Sequence, residues 1–340
     1  MIRVAALTSG PCVPSARFRV RQHIPALRQL DVEVRDYSLP FSKYASPRRS
    51  RLGPAWTAAK TAARVPGIIA SRRVDVVWLE RELLPGRAGL ERLTGAPRVF
   101  DVDDAIWLLA EGVDFSLEIA RRSACVIAGN AFIAEHFAGA GVPVWMIPTA
   151  VDTRRWHPDP DRVDGRHMVI GWTGSASTQP FLAALSGPLA EVAQARPGVR
   201  LRVVSDLRPE LPGFPAERLD WQPWSPDVEA EAVRGMDVGV LPQPDSPWTR
   251  GKCSLKMLQY MACGLPTVAS PVGHAGELLE RGAGLPASTP GEWTDVLLSL
   301  IDDARMRDAL GMRGRAIAED EYAASVVAGR LAEVLRSARR

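Results

Sequence analysis

Residues 237–273 read DVGVLPQPDSPWTRGKCSLKMLQYMACGLPTVASPVG, a strand, a helix and a second strand in succession. Val238–Pro242 and Thr267–Ser270 are short apolar runs, and a helix is predicted between them, from an N-cap at Ser254 to a Gly-Leu-Pro stop at 264–266. Two strands joined by a helix form the βαβ unit of a parallel sheet. This stretch therefore predicts an α/β fold.

The same alternation continues through the chain on both sides of this stretch. Its 340 residues exceed what one hydrophobic core usually holds, so two domains are expected. The Pro- and Asp-rich run HPDPDRVDGR, residues 157–166, is the candidate linker between domains 1–160 and 167–320. Each domain is predicted to be Rossmann-like, with ligand bound in a cleft where the carboxyl ends of the two sheets face each other. A helix is predicted from about Arg17 to Leu30. Further strands are predicted at Ile2–Leu7, Val32–Tyr37, Val74–Leu79, Arg98–Val102, Cys125–Ala128, Val144–Ile147, Met168–Trp172 and Leu201–Ser205.

Charge, cysteine spacing and the length of apolar runs limit the classes of protein to which the chain can belong. The net charge is only +3, but arginines bunch locally, as in Arg17-Phe18-Arg19-Val20-Arg21. This favours local anion sites or an anionic membrane surface over a nucleic-acid footprint, so no nucleic-acid partner is expected. The four cysteines show no metal-binding spacing, and no apolar run has the length of a membrane span. We expect a cytoplasmic protein, or one that lies peripherally at the inner face of the membrane.

Two of the chain's four lysines, Lys252 and Lys256, stand four residues apart at the start of the predicted helix. A helix N-terminus attracts anions through its N–H groups and dipole. Gly251 beside it permits close backbone approach. This combination predicts a diphosphate site, and the alternative is a solvated charged helix face.

Met261-Ala262-Cys263-Gly264-Leu265-Pro266 and Val268-Ala269-Ser270 closely match a signature of glycosyltransferase family 4, and the resemblance extends over nearly the whole chain. It implies the GT-B fold, a nucleotide-diphosphate sugar as donor, no cofactor and no metal, and a C-terminal helix, 321–340, that returns to the first domain. Two glutamates of the family fall on Gly251 and Gln259 here. The Gln259 amide can still bond ribose hydroxyls, whereas the sugar contact at Gly251 is missing.

The resemblance also assigns donor contacts elsewhere. The loop after the strand 168–172 often carries Arg and Lys in relatives but here offers Gly174, Ser175 and Thr178, so Lys252 and Lys256 would neutralise the diphosphate. The first strand-helix loop, which includes Gly10, implies a backbone contact with the donor phosphate. Because Arg17, Arg19 and Arg21 cannot all share one helical face, one or two are expected at the cleft and the rest solvated, with Arg17 and Arg19 the candidates for anion contact.

Four further residues complete the candidate site. Asp103 and Asp104 follow a predicted strand in VFDVDDAIW, residues 99–107, and Asp103 aligns with a family histidine that faces sugar and acceptor. With Asp101 they make three carboxylates at a strand end, which also suit a metal, and helix capping by Asp104 is the structural alternative. Trp221 is a candidate for stacking on the base, and His274 lies in a family loop near the sugar.

The predicted reaction is transfer of the sugar to an acceptor hydroxyl of a saccharide, a lipid-linked sugar or a small molecule, with retention by analogy. Lys252, Lys256, Asp103 and Asp104 are the candidate catalytic residues. Two alternatives stay open: a nucleotide-sugar epimerase of the same fold, and a non-catalytic nucleotide-sugar-binding protein, because both glutamates are replaced. A dehydrogenase is disfavoured because no Gly-x-Gly-x-x-Gly follows a strand.

Overall fold

The computed structural model describes residues 1–43, 53–109, 114–160 and 167–339. They form two compact units: the first comprises Met1–Ala150, Gly251–Cys253 and Ala324–Arg340, and the second comprises Val151–Arg250 and Ser254–Ala323. Each unit is built on one six-stranded sheet in which all strand pairs are parallel. The prediction of two Rossmann-like α/β domains is confirmed. Within the described ranges, no helix has the length and apolar character needed to cross a membrane.

The first unit has the strand order β2-β1-β3-β4-β5-β6. Its strands are β1 Ile2–Leu7, β2 Val32–Asp36, β3 Val76–Glu80, β4 Arg98–Val102, β5 Cys125–Ala128 and β6 Val144–Met146. Its α-helices are α1 Ile24–Gln29, α2 Gly53–Ala70, α3 Phe115–Ala120, α4 Ala131–Phe137 and α13 Ala324–Ser337.

Burial on both faces explains the apolar character of these strands, since a parallel sheet is covered by helices on each side. Every residue of β3 is buried. Helix α13, late in the chain, buries Val327, Leu331 and Leu335 in the core beside β1. Each such side chain contributes about 1.5–3 kcal/mol by leaving water. The first unit is therefore completed by a segment that follows the second unit in sequence.

The second unit has the strand order β12-β11-β10-β7-β8-β9. Its strands are β7 Met168–Thr173, β8 Val199–Ser205, β9 Leu219–Pro223, β10 Val238–Leu241, β11 Thr267–Ala269 and β12 Leu285–Pro286. Its α-helices are α5 Gln179–Ala183, α6 Ser186–Ala195, α7 Glu229–Arg234, α8 Pro247–Arg250, α9 Leu255–Ala262, α10 His274–Glu280, α11 Pro290–Asp302 and α12 Ala304–Glu321. Strand order reverses between β7 and β10, which is where open α/β sheets bind ligands.

Several elements differ from the sequence prediction. Strands β9 and β12 were not predicted, because β9 is an edge strand with Asp, Gln and a terminal Pro, and β12 has only two residues. The helix predicted from Arg17 to Leu30 is a π-helix, a 3₁₀ turn and α1 in succession. Residues 161–166 of the predicted linker lie outside the described residues.

Candidate functional site

The carboxyl end of β4 presents acidic residues to an arginine from the neighbouring strand. Strands β3 and β4 pair in register up to Glu80 and Asp101, and Arg81 directly follows β3. The Arg81 guanidinium places Nε 2.6 Å from Asp103 Oδ1 and Nη2 2.6 Å from Asp104 Oδ2. One guanidinium thus spans two consecutive carboxylates, a geometry that the planar arginine fork suits.

Arg81 is held in this position at a conformational cost. Its φ is +55°, in the left-handed region that costs an L-residue about 1–2 kcal/mol, and its side chain is buried. Its backbone N–H donates to the Asp101 carbonyl at 2.9 Å. Strain of this kind persists where the surroundings impose it, and it clusters at functional sites.

The charge state of Asp103 follows from these neighbours. Burial favours its neutral form, but the cations Arg81, Arg19 and Lys43 outweigh burial and hold the pKa of Asp103 below its ordinary value. Asp103 is therefore ionised at pH 7. It can accept a proton or stabilise positive charge, but it has no proton to donate.

The three residues Gly251–Cys253 belong to the first unit and dock beside this acidic pair. The Lys252 ammonium lies 3.5 Å from Asp104 Oδ1, and the Lys252 carbonyl accepts a hydrogen bond from Asn130 Nδ2 at 3.0 Å. The Cys253 thiol donates to the Asp103 carbonyl at 3.2 Å. Lys252 thus pairs with Asp104, another candidate catalytic residue, and Asn130 holds the Lys252 backbone.

Gly251 explains why a family glutamate is missing. A Cβ at this position would lie 2.6 Å from Ala105 Cβ and 3.0 Å from Ala105 N, so a side chain would force the backbone to move. Ala105 thus occupies the space that a glutamate side chain at position 251 would need.

Arg19 is buried in the first unit rather than exposed at its edge. Its Nη2 lies 2.8 Å from Asp101 Oδ1, and its Nη1 donates to the Ile147 carbonyl at 3.0 Å. Burial raises the pKa of Asp101 to about 6 in spite of Arg19 and the Trp78 indole, and Asp101 and Asp103 keep the pKa of Arg19 above its ordinary value despite burial. Both partners are therefore ionised at pH 7, and the contacts of Arg19 are those of a core ion pair.

The first strand-helix loop is organised by Arg21, which was expected to be solvated unless it reached an anion. Arg21 bonds Asp36 Oδ2 at 2.6 Å and the carbonyls of Ser9 and Pro11 at 2.9 and 2.8 Å. Gly10 in this loop is buried, and a Cβ there would meet the Phe41 carbonyl oxygen at 2.5 Å. Arg17 is half-buried, with its guanidinium 5.1 Å from the Phe18 ring centroid.

In the second unit, Lys256 stands in the first turn of α9, at the strand-order reversal. Its Nζ donates to Thr178 Oγ1 at 3.1 Å and lies 4.5 Å from the Trp172 ring centroid. A Cβ on Gly174 would lie 2.3 Å from the Trp172 ring and 2.6 Å from this ammonium, so the loop passes close to both side chains. The lysine, Gly174 and Thr178 lie together in the second unit, and Ser175 lies in the same loop with its side chain exposed.

The start of α9 reinforces this cationic site. The N-cap Ser254 has φ +50°, and its hydroxyl does not bond the first turn of the helix, unlike the predicted cap. The first N–H groups of a helix have no partner within the helix, and they favour anions. An ammonium, a hydroxyl and helix N–H groups together can hold a doubly charged phosphate chain.

The other predicted donor contacts are more deeply packed. Gln259 is buried on α9, although it was placed on the polar side of the helix. His274 is buried, with Nε2 3.1 Å from the Tyr322 hydroxyl. Trp221 lies in β9 rather than in a loop, and its Nε1 is buried without a hydrogen-bond partner among the described residues. Nowhere in the described part of the chain do three or more His, Cys, Asp or Glu residues gather as a metal site.

Comparison with known proteins gives this geometry its context. Residues 169–303 match the family model described as glycosyl transferases group 1. A GDP-mannose-dependent monoacylated alpha-(1-6)-phosphatidylinositol monomannoside mannosyltransferase from Corynebacterium glutamicum is 25% identical over 348 residues, which span 89% of this chain and 86% of that protein. Residues 169–303 are thus a glycosyl transferases group 1 domain, and the chain is similar to a glycosyltransferase over most of its length.

Further proteins resemble this glycosyltransferase. A D-inositol 3-phosphate glycosyltransferase from Segniliparus rotundus is 25% identical over 204 residues, covering 54% of the chain and 44% of that protein. Anabaena HepE in complex with UDP-glucose has a TM-score of 0.70 at 17% identity, covering 99% of the chain and 100% of that structure. Sucrose-phosphate synthase from Thermosynechococcus elongatus has a TM-score of 0.74 at 13% identity, covering 99% and 98%. The predicted GT-B fold is confirmed.

Arg81 was not singled out from the sequence. It organises a strand-end loop without lying in a family motif, whereas Arg21 belongs to the arginine cluster after β1. The available signal was position alone: Arg81 ends one strand and Asp103 follows another. Only the strand order places those two strands side by side.

Proposed function

We propose that this glycosyltransferase transfers a sugar from a nucleotide-diphosphate sugar to an acceptor hydroxyl, with the donor diphosphate held in the second unit. The observation that carries the proposal is Lys256, whose ammonium bonds Thr178 Oγ1 at 3.1 Å beside the N-terminus of α9. The loop at 174–178 lacks cations of its own, so this lysine supplies the charge that a diphosphate needs.

The chemistry required of this site is stabilisation of a leaving nucleoside diphosphate. Charge develops on the β-phosphate as the glycosidic bond breaks, and preorganised donors in place before the reaction lower the barrier most. Lys256 and the helix N–H groups are such donors. The proposed reaction needs no metal and no cofactor, and it retains the anomeric configuration by front-side attack, with the departing phosphate taking the acceptor proton.

The acceptor side is proposed to lie at Asp103 and Asp104 in the first unit. Asp103 is ionised, so it can orient an acceptor hydroxyl by accepting its hydrogen bond. The mannosyltransferase from C. glutamicum is named for an acceptor that is a phosphatidylinositol mannoside. By extension, we propose that this enzyme is cytoplasmic and that its acceptor is a lipid-linked sugar or another hydroxyl compound. Where the acceptor is a lipid, the enzyme acts peripherally at the membrane.

The donor is the first quantity to measure. Purified enzyme is mixed in turn with GDP-, UDP-, ADP- and dTDP-sugars, and binding is followed by calorimetry. Radiolabelled sugar from the donors that bind is then followed into a membrane extract and into free saccharides. Transfer to an acceptor supports the proposal. Binding with neither transfer nor donor hydrolysis identifies a non-catalytic binding protein, and epimerised sugar without transfer identifies an epimerase.

A further inference from the structure

The end of β3 carries a charge network that the proposed chemistry does not explain by itself. Arg81 reaches Asp103 and Asp104 with separate nitrogens, each at 2.6 Å. Asp104 uses its other oxygen, Oδ1, for the Lys252 ammonium at 3.5 Å. A single arginine is thus linked to both acidic candidates directly and to Lys252 through Asp104.

The backbone of Arg81 indicates that the site is built for this side chain. The residue has φ +55°, where glycine would be unstrained, and yet a long, branched cation stands there, buried. An arginine whose side chain was simply solvated would not need a strained backbone. The strain is explained if the guanidinium must face both carboxylates in a fixed orientation.

We propose that Arg81 is a positioning residue, which fixes the orientation of Asp103 and Asp104 and, through Asp104, the place of the Lys252 ammonium. The inference rests on the proposed function, because it assigns Arg81 a task in that same acceptor site. Arg81 itself touches neither substrate in this assignment.

The ionised state of Asp103 follows from the charged groups around it. The groups that face Asp103 are the cations Arg81, Arg19 and Lys43, the carboxylate Asp101 and the thiol of Cys253. Arg19 is already paired with Asp101 at 2.8 Å, and Lys43 with Glu82 at 3.4 Å. Arg81 is the cation with a nitrogen 2.6 Å from Asp103 Oδ1, so its removal takes away a close opposite charge and lets burial raise the pKa of Asp103.

The decisive variant is Arg81→Gly, because glycine keeps the left-handed backbone and removes only the guanidinium. Arg81→Lys retains the charge without the fork, and Arg202→Ala is the matched control, since Arg202 makes a half-buried pair with Asp220 at 2.7 Å in the second unit. We expect Arg81→Gly to lower kcat/KM on the order of a hundredfold, mainly in kcat, the size of loss that misplaced catalytic groups cause. Added guanidinium ion should restore part of it, and Arg81→Lys should lie between.

The pH profile separates positioning from mere packing. In the wild type Asp103 stays ionised below the usual range of an aspartate, so the acid limb of kcat/KM lies low. In Arg81→Gly the limb should move up by about one pH unit or more, as expected when an opposite charge is removed. Arg202→Ala should leave the limb in place. An unmoved limb together with no rescue by guanidinium overturns the proposal.

A measurement without substrate keeps the inference separate from the proposed function. The wild type gains stability from ionised Asp103 above the unfolded pKa and loses it as pH falls through the lower folded pKa. In Arg81→Gly the folded pKa lies above the unfolded one, so acidification relieves a penalty instead. The Tm gap between the two proteins should narrow from pH 7 to pH 4.5, and a gap that does not change refutes the assignment. If no donor in the panel supports transfer by the wild type, the proposed function fails while this test still decides the role of Arg81.

Discussion

Replacing Lys256 by alanine tests the donor site most directly. Its ammonium lies 3.1 Å from Thr178 Oγ1 and 4.5 Å from the Trp172 ring centroid, half-buried at the start of α9. A hydrogen bond to a charged group is worth about 1.5–3 kcal/mol net. Its loss should therefore raise the Kd of the donor about tenfold to a hundredfold. The folded state also loses the contact with Trp172, about 0.5–1 kcal/mol, and the hydrogen bond to Thr178, about 0.5–1.5 kcal/mol, so Tm should fall by about 2–10 °C.

The assay is calorimetric titration with the nucleoside diphosphate and with its sugar, at fixed ionic strength. Lys256→Arg keeps the charge and should recover part of the affinity. Arg200→Ala is the control for net charge, since Arg200 is exposed at the amino end of β8, opposite the strand ends that carry the site. Our reasoning is refuted if Lys256→Ala, still folded, binds donor within twofold of the Arg200→Ala protein.

Two other substitutions distinguish packing from ligand contact. Arg19→Met leaves Asp101 buried without its cation and should cost about 3–5 kcal/mol of unfolding free energy, measured in urea. Arg17→Ala, the comparison, should cost little. If Arg19→Met instead weakens donor binding without changing stability, Arg19 makes the anion contact that the sequence predicts. Gly251→Glu supplies the missing family carboxylate but presses on Ala105, so we expect a loss of about 1–3 kcal/mol and no faster turnover, measured by urea unfolding and by the transfer assay. Faster turnover in that variant would contradict the packing explanation.

The fold was predictable because its signals are local. Each strand from β3 to β5 is an apolar run with a turn after it, and the helix between β10 and β11 ends at a glycine and a proline. Strand β9 was missed since its polar residues are tolerated only at a sheet edge, and edges are a property of the strand order. The irregular helix after β1 was missed because the apolar spacing of a π-turn resembles that of an α-helix over so few residues.

The site was predictable only in part, for a related reason. Lys256 was found because its neighbours in sequence, a helix start and a glycine, already indicate an anion. The partners of Asp103 and Arg19 come from other strands, more than twenty residues away along the chain, and no local pattern reveals them. Gln259 and His274 were assigned from motif positions, and burial of a polar side chain is decided by what packs over it.

Because α13 is synthesised last, the first unit is made first but completes its core after the second unit. Residues 1–150 leave the ribosome first, but the core around β1 lacks Val327, Leu331 and Leu335 until α13 has been made. The second unit, from 151 to 323, has all its strands before that moment. The later half of the sequence can therefore reach its native packing first, and the earlier half waits with an apolar groove open. A chain truncated at residue 323 would lack α13, so the apolar surface beside β1 would stay exposed. A nonsense mutation that removes only this helix should therefore make the first unit a target for chaperones and proteases.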